Sequence, residues 1–250
     1  MDLISVIIPY YKKKQYIVSA INSVLRQSYR NLELIIIYDD MNLDDLIILK
    51  SIKKKDKRIK IYINKKNLGA GMSRNKGIKL SNGKLIAFLD SDDLWLPDKL
   101  KKQIFFMKKN KIKISHTSYY IIDYENKIIG NRQGKDLNYE QLLSSCDIGL
   151  STVILDKELI KKDIRFPNIK TKEDYVLWLK IIKSENKIFA LKNNLTKWRR
   201  LDSSLSSSKL QRIKDGFRVY RKYMKFNHIK SIIYLGLLSI NYLLKQIKNT

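Results

Sequence analysis

The first hundred residues alternate between short apolar runs and longer segments with a helical apolar stripe, and this alternation most limits what the chain can fold into. Runs rich in Ile, Leu and Val are typical of parallel strands buried on both faces. Between the first two runs, Ile17, Ile21 and Val24 share one helix face. This repetition predicts right-handed crossovers and a doubly wound α/β layer. The runs are Leu3–Ile8, Leu32–Ile37, Ile59–Ile63 and Leu85–Leu89.

Turn and capping residues indicate where the next helices begin and end. Asn42 can cap a second helix that ends near residue 54. A third helix fits Ala70–Leu80, because an Asn-Gly pair follows as a stop signal. Pro97 suits the first turn of a fourth helix, which runs to about Lys109.

Beyond residue 110 the pattern is less regular, and the predicted elements are shorter. We expect strands within 112–130, a short helix at Tyr139–Ser145, an extended segment at Leu150–Leu155, a helix at Glu173–Lys183 and a polar loop at Ser203–Ser208. A helical tail is predicted to follow that loop.

The net charge is +27, from 51 Lys and Arg against 24 Asp and Glu. Forty of the cations are Lys and 11 are Arg, and they are spread over the whole chain. An AT-rich coding sequence would produce such a Lys excess, whereas proteins that bind nucleic acid use clustered Arg. The charge therefore does not predict a nucleic-acid partner.

The tail at 209–250 concentrates this charge, with ten Lys and Arg and one acid, Asp215. It carries an apolar stripe between Leu210 and Met224, and an uncharged segment, Ser231–Leu244, too short to span a bilayer. These features fit interfacial helices on an anionic membrane surface. The alternative is that both segments pack on the body of the protein.

The single cysteine, Cys146, excludes an intramolecular disulfide and favours a reducing compartment. The start of the chain lacks the basic segment and cleavage site of a signal peptide. We expect a cytoplasmic protein, with the inner face of the cell membrane as a candidate location.

Three carboxylates follow the fourth apolar run, in Asp90-Ser91-Asp92-Asp93. At the carboxyl end of a strand, where open α/β sheets bind ligands, they would repel one another unless a cation neutralises them. Oxygen ligands without His or Cys suit Mg²⁺ or Mn²⁺. The alternative is a solvated acidic turn ahead of the Pro97 helix.

Two further acidic pairs and one glycine-containing loop complete the candidate chemistry. Asp39-Asp40 ends the second run, and the loop after Asn67 offers Arg74 as a forked cation for a phosphate or carboxylate. Glu173-Asp174 opens a predicted helix, where a carboxylate could act as a general base. The alternative for this last pair is a capping box in which Thr171 is the N-cap.

Taken in order, these segments resemble the family 2 inverting glycosyltransferases of GT-A fold, over about residues 3–208. The resemblance implies an α/β fold, with a Rossmann-like, mostly parallel sheet and flanking helices, to which this chain adds a C-terminal helical tail. It also implies three parts: 1–110 for the nucleotide sugar, 111–208 for acceptor and base, and the tail 209–250. The matching segments are Ser5–Tyr11, Leu34–Asp40, Asn67–Gly77, Asn82–Asp93, Glu173–Leu179 and Trp198–Ser206.

The resemblance assigns a donor site at which Asp40 binds the nucleotide base, usually uracil. Asp92 lies at the ribose and the metal-bound diphosphate, Arg74 lies near the donor, and Arg199 belongs to a loop that closes over the diphosphate. The full set of implied donor-binding residues is Pro9, Tyr11, Asp39, Asp40, Asn67, Arg74, Asp90, Ser91, Asp92 and Arg199.

The resemblance also makes Asp174 the catalytic base, and Asp92 and Asp93 the ligands of Mn²⁺ or Mg²⁺. Glu173 and Trp178 would lie on the acceptor side, although packing is the alternative for Trp178. The implied reaction moves a sugar, for which a UDP-sugar is the expected donor, to a hydroxyl of a glycan or lipid-linked glycan.

Two departures from the family pattern affect the donor site. Met41 and Asn42 stand where relatives have Gly-Ser, and Leu201 stands where many have His. The competing hypothesis is a basic protein without transferase activity, which binds membrane or nucleic acid. The sequence does not determine the donor sugar, the acceptor or the oligomeric state.

Overall fold

The computed structural model describes residues 1–160, 163–201 and 208–247, and its centre is a ten-stranded mixed sheet. Its first half is parallel, in the order β3-β2-β1-β4, and each connection contains a helix. This confirms the doubly wound layer. The elements are β1 Ile4–Tyr10, α1 Lys14–Leu25, β2 Leu32–Tyr38, α2 Leu46–Lys55, β3 Ile59–Ile63, α3 Ala70–Leu80 and β4 Leu85–Phe88.

The second half of the sheet mixes parallel and antiparallel pairs. After β4 the order continues β9-β6-β10-β5, with β7 beside β6 and β8 beside β10. Only β6 and β10 are parallel among these pairs. The elements are β5 Leu94–Trp95, α4 Lys99–Lys109, β6 Ile114–Ile122, β7 Ile128–Arg132, β8 Leu137–Asn138, α5 Tyr139–Ser144, β9 Ile154–Asp156, α6 Glu173–Glu185 and β10 Lys187–Arg199.

Two hydrophobic clusters cover the two faces of the sheet, because successive strand residues point to opposite sides. Val6 and Ile8 belong to the cluster with α1 and α4, whereas Ile7 belongs to the cluster with α3 and α6. Trp178 of α6 is fully buried in this second cluster, with its ring 6.4 Å from that of Phe88. The packing therefore places α6 beside the carboxyl-end half of the parallel sheet.

The tail contains α7 Lys209–Arg218, one π-helical turn at Val219–Tyr223, and α8 His228–Ile247. Ser208 caps α7 by accepting a hydrogen bond from the main chain of Gln211. Tyr220 and Met224 of the predicted stripe are buried in the core, whereas Leu210 and Ile213 are exposed. Within the described ranges, no helix combines the length and hydropathy that crossing a bilayer requires.

Three predicted boundaries are wrong for local reasons. The helix α2 begins at Leu46, because Asn42 instead accepts a hydrogen bond from the main chain of Asp44 in a turn. Pro97 precedes α4 rather than opening it. The predicted extended segment begins with a 3₁₀ turn, Leu150–Thr152, before β9. Residues 202–207 of the predicted polar loop lie outside the described residues.

Candidate active site

The candidate site lies at the carboxyl ends of β1, β2 and β4, which are parallel neighbours and end at the same edge of the sheet. The loop after β1 contributes Lys13, the end of β2 contributes Asp39-Asp40, and the loop after β4 contributes the three acids at 90–93. These segments are where an open α/β sheet binds its ligands.

Asp92 pairs with Lys13, whose ammonium lies 3.1 Å from its carboxylate. Burial and the neighbouring Asp90 charge raise the pKa of Asp92, so a second cation at this position would favour its ionised form. About a fifth of the Asp92 side chain is exposed (20%), and Asp90 is more open (32%). Both carboxylates are therefore partly accessible from solvent.

Asp93 has a different environment from its two neighbours. It is 1% exposed, and its two carboxylate oxygens accept hydrogen bonds from the Ser151 hydroxyl and the Arg199 main chain. Burial and the charges of Asp92 and Asp90 raise its pKa well above the usual range. Through these bonds Asp93 joins the β4 loop to β10, and its role as a metal ligand remains a prediction.

Arg74 connects the acidic loop to α6. Its guanidinium donates to Asp90 at 2.7 Å and to Glu173 at 2.6 Å, and it lies over the ring of Phe166. Arg74 itself is buried, and its Nε has no partner among the described residues. Glu173 is therefore ion-paired with Arg74, and its position on the acceptor side remains a prediction.

Asp174 follows Glu173 at the start of α6 and is partly exposed. Burial and the adjacent Glu173 charge raise its pKa to about 7. One of its oxygens accepts the main-chain hydrogen bond of Tyr175, at 2.7 Å. A carboxylate with this pKa can take up a proton near neutral pH, as a general base must.

The capping-box alternative for this pair is wrong. The N-cap of α6 is Lys172, in the left-handed region at φ 65°, and it makes no side-chain capping bond. Thr171 instead donates both its main-chain NH and its hydroxyl to Asp215 of the tail. Asp174 is therefore not part of a capping box with Thr171; its one bond within the helix is the one from the Tyr175 main chain.

At the end of β2, Asp39 organises the loop that follows β3. It accepts hydrogen bonds from the Asn64 side chain and from the main chains of Leu68 and Gly69. Asn67 donates to the Asp39 carbonyl, and Gly69 takes φ +81°, which favours glycine. Asp39 is thus a structural residue here, and nucleotide binding by Asn67 remains a prediction.

The other predicted donor residues lie around this edge of the sheet. Asp40 is buried and accepts a hydrogen bond from the main chain of Asn42. Pro9 is buried within β1, Ser91 is buried in the acidic loop, and Tyr11 is 42% exposed just after β1. Their contacts with a nucleotide remain predictions.

Arg199 is the last residue of β10 and not a loop residue, so its predicted placement is wrong. Its guanidinium donates to the main-chain carbonyls of Asp92 and Asp123 and lies 4.4 Å from the ring of Tyr16. These contacts attach the acidic loop at 90–93 to the end of β10. The contact of Arg199 with a diphosphate remains a prediction.

Trp178 is also corrected, because a side chain with 0% exposure cannot contact an acceptor. Trp178 belongs to the hydrophobic cluster that contains Ile7 and Phe88. The alternative given for it, that it is a packing residue, is therefore the observed one.

The oxygen atoms available as metal ligands fit a hard divalent ion that binds through a small number of carboxylates. Asp90 and Asp92 supply oxygen ligands only, and Mg²⁺ or Mn²⁺ commonly uses one or two carboxylates together with substrate phosphates. No group of three or more His, Cys, Asp or Glu is arranged to hold a metal in the parts of the chain that the structure describes. The residues therefore fit an ion completed by a ligand rather than an all-protein cage.

Sequence reasoning missed three residues that shape the site. Lys13 is one of 40 lysines, so only its distance from Asp92 distinguishes it. Ser151 donates to Asp93 and accepts from the main chain of Asp90, although it lies some 60 residues away. Asp215 could have been noticed in the sequence, because it is the single acid of a basic tail.

Comparison with known proteins gives a consistent result for the whole chain. The sequence model of Glycosyl transferase family 2 matches residues 5–165. An Escherichia coli protein, UDP-Glc:alpha-D-GlcNAc-diphosphoundecaprenol beta-1,3-glucosyltransferase WfgD, is 38% identical over 98% of this chain and 94% of its own. The putative teichuronic acid biosynthesis glycosyltransferase TuaG of Bacillus subtilis is 34% identical, over 92% and 91% respectively.

Solved structures support the fold. The S. aureus TarS fragment 1–349 in complex with UDP-GlcNAc has a TM-score of 0.74 at 20% identity, covering 93% of this chain and 70% of that one. The mannosyltransferase PcManGT from Pyrobaculum calidifontis, in complex with GDP-Man and Mn²⁺, has a TM-score of 0.70 at 13% identity, covering 93% and 69%.

Proposed function

The chain belongs to glycosyl transferase family 2, and from this premise we propose that it transfers glucose from UDP-glucose to a GlcNAc residue carried on a diphosphate-linked lipid. The observation that carries the proposal is the Arg74 bridge, which joins Asp90 of the loop after β4 to Glu173, the neighbour of Asp174. Similarity to WfgD over nearly the full length of both chains supports these substrates.

The donor would bind at the carboxyl ends of β1, β2 and β4. In this proposal Asp40 and Asn67 contact the uracil end, and Tyr11 lies beside the nucleotide. Lys13 exchanges its Asp92 partner for a phosphate oxygen, since a diphosphate carries more negative charge than one carboxylate and the Lys13 side chain is partly exposed.

Asp90 and Asp92 would hold Mn²⁺ or Mg²⁺, with phosphate oxygens completing its coordination. When bound, such an ion offsets the negative charge that develops on the departing diphosphate. The chain's own contribution is to hold these two carboxylates in place. Arg74 orients Asp90, and the loop after β4 is held by the hydrogen bonds that Asp93 accepts from Ser151 and Arg199.

Asp174 is the proposed general base. Its carboxylate takes the proton of the acceptor hydroxyl while that oxygen forms a bond to the anomeric carbon. The bond from this carbon to the diphosphate oxygen breaks, and UDP leaves with the electron pair from the opposite face. A single displacement of this kind converts an α-linked donor into a β-linked product, and most of its acceleration comes from alignment of the groups.

The three-part division predicted from the sequence fits this proposal as a working description. Residues 1–110 supply the donor side and 111–208 supply the base, while 209–250 forms the tail. Because the proposed acceptor is a lipid, the enzyme would act at the inner face of the cell membrane. The competing hypothesis of a basic protein without transferase activity is not favoured by the family match.

The test is a transfer assay with UDP-glucose, Mn²⁺ and a synthetic GlcNAc-diphosphate lipid, followed by mass spectrometry and by NMR of the new linkage. We expect one added hexose in β linkage. Asp174→Asn should remove transfer, whereas Asp163→Asn, at an exposed acid on the same half, should retain it. Absence of product with every UDP-sugar, or full activity of Asp174→Asn, would refute the proposal.

A further inference from the structure

The outward face of α8 is apolar from Ile229 to Leu243. Large aliphatic side chains recur there at spacings of three and four residues, so they lie on one side of the helix, within an arc of about 140°. Ile229 is 73% exposed and Leu243 is 60% exposed. We name this surface the outer face; it includes Ile229, Ile232, Ile233, Leu237, Ile240 and Leu243.

The opposite side of α8 is already used to hold the helix on the body. Ser231 and Leu238 are buried, the Tyr234 hydroxyl donates to Glu140, and the Asn241 amide donates to the Ser144 carbonyl. The helix is therefore anchored along its inner side, and its outer face has no contact that would cover it within the described part of the chain. A contiguous strip of six large exposed aliphatic side chains is uncommon on the surface of a monomer unless the strip binds a partner or a membrane.

Cations lie beside the outer face near the start of α8. Arg221 and Lys230 are both exposed there; Arg221 donates to the Phe226 carbonyl, and the Lys230 ammonium lies 4.3 Å from the Phe226 ring. Glu140, an acid that contacts this helix, is on the inner side and is bonded to Tyr234. An apolar strip beside cations is complementary to an anionic lipid surface.

We propose that the outer face of α8 is a membrane-docking surface that lies in the plane of a bilayer, with its aliphatic side chains among the acyl chains and the bordering cations at anionic headgroups. A second copy of this chain is the less suitable occupant, because two such faces would bring two positively charged tails together. The inference concerns where the protein meets a bilayer, so it does not depend on the donor or acceptor of the proposed reaction.

The experiment is flotation of the purified full-length chain with vesicles of phosphatidylcholine alone or with about 30% phosphatidylglycerol. We expect binding that requires the anionic lipid and weakens as salt is raised. The double variant Ile233→Asp with Ile240→Asp should bind at least about tenfold more weakly, because two charges would enter the acyl region.

The matched control is Ile47→Asp with Phe105→Asp, which places the same charges at apolar positions of α2 and α4 that are at least as exposed as Ile233 and Ile240. It should bind like the unmodified chain. Equal loss in both double variants, binding to neutral vesicles at the same strength, or no binding at all would overturn the proposal. Circular dichroism melting of each variant separates a binding loss from a folding loss.

Two further measurements report how deeply the outer face enters the bilayer and whether its partner is a lipid or a second copy of the chain. Leu237→Trp should gain quenching by brominated phosphatidylglycerol, relative to the unmodified chain, whereas Phe105→Trp should gain none. Sedimentation without lipid should give the same mass for the unmodified chain and for Ile233→Asp with Ile240→Asp. A dimer that these substitutions dissociate would show that the outer face is a self-association surface and would refute membrane docking.

Discussion

The Asp215 carboxylate accepts two hydrogen bonds from Thr171, one from the main-chain NH and one from the hydroxyl, each 3.1 Å long. Gln211 and Arg218 donate to the same carboxylate, which is fully buried. The tail is therefore joined to the loop that leads into Glu173 and Asp174. A segment that the sequence presented as an appendage contributes to the position of the proposed base.

Replacing Asp215 by Asn should displace this loop, because an amide cannot accept all of these hydrogen bonds. We expect a loss of about 2 kcal/mol in the free energy of unfolding and a fall in kcat that exceeds any rise in KM for the donor. Ser208→Ala is the matched control, because it weakens the cap of the same helix without affecting Thr171. Equal kinetic losses in both variants would show that only general stability is involved.

Arg74→Lys should separate the two acids that the guanidinium now bridges. One ammonium cannot reproduce a fork that donates to Asp90 and Glu173 from different nitrogens. We expect kcat/KM to fall about a hundredfold, since an alignment error of about 1 Å is sufficient for a loss of this size. The check is steady-state kinetics beside a thermal melt, and Lys76→Arg on the same helix is the control. Unchanged kcat/KM would contradict the bridging role.

The pH dependence of transfer should follow the Asp174 carboxyl. Burial and Glu173 raise its pKa to about 7, so below that pH the group is protonated and cannot accept the acceptor's proton. The rate should therefore rise about tenfold per pH unit below the midpoint and level off above it. Glu173→Gln removes the neighbouring negative charge, so the midpoint should move to lower pH. A profile that is flat between about pH 5 and 9 would exclude Asp174 as the base.

Asp92 and Asp93 should respond differently to substitution, although they are adjacent. Asp92→Asn removes a predicted ligand, so the Mn²⁺ concentration for half-maximal activity should rise. Asp93→Ala should instead lower the free energy of unfolding by about 2 kcal/mol, because the Ser151 hydroxyl and the Arg199 NH lose their buried acceptor. Titration of activity with Mn²⁺ and chemical denaturation separate the two effects. The reverse pattern would show that Asp93, and not Asp92, is the metal ligand.

Gly77→Ala tests how closely α3 packs on β1. An added Cβ would lie 2.5 Å from a methyl carbon of Ile7, so the helix would have to move. We expect a loss of about 1–3 kcal/mol in the free energy of unfolding. Gly236→Ala, where nothing lies within 4 Å, should be neutral or stabilising by up to about 1 kcal/mol. Urea denaturation of both variants compares them directly.

The sequence alone was sufficient for the parallel half of the fold and for the candidate acids. β3 and α3 have the bounds that the periodicity predicts, Ile59–Ile63 and Ala70–Leu80, because their buried positions follow from local strand and helix repeats. The order of the acidic segments likewise indicated the family. Such features depend on neighbours in the chain, and a sequence shows those directly.

Tertiary structure decided what each charged side chain contacts. Arg74 meets Glu173 across 99 residues, Asp215 meets Thr171 across 44, and Lys13 is distinguished from other lysines only by Asp92. Capping signals failed where such distant partners offered a stronger bond, as for Thr171. The outer face of α8 is a further case, because helical spacing shows which residues share a side but not which side the body covers. Long-range proximity has no local period, so only the folded chain reveals it.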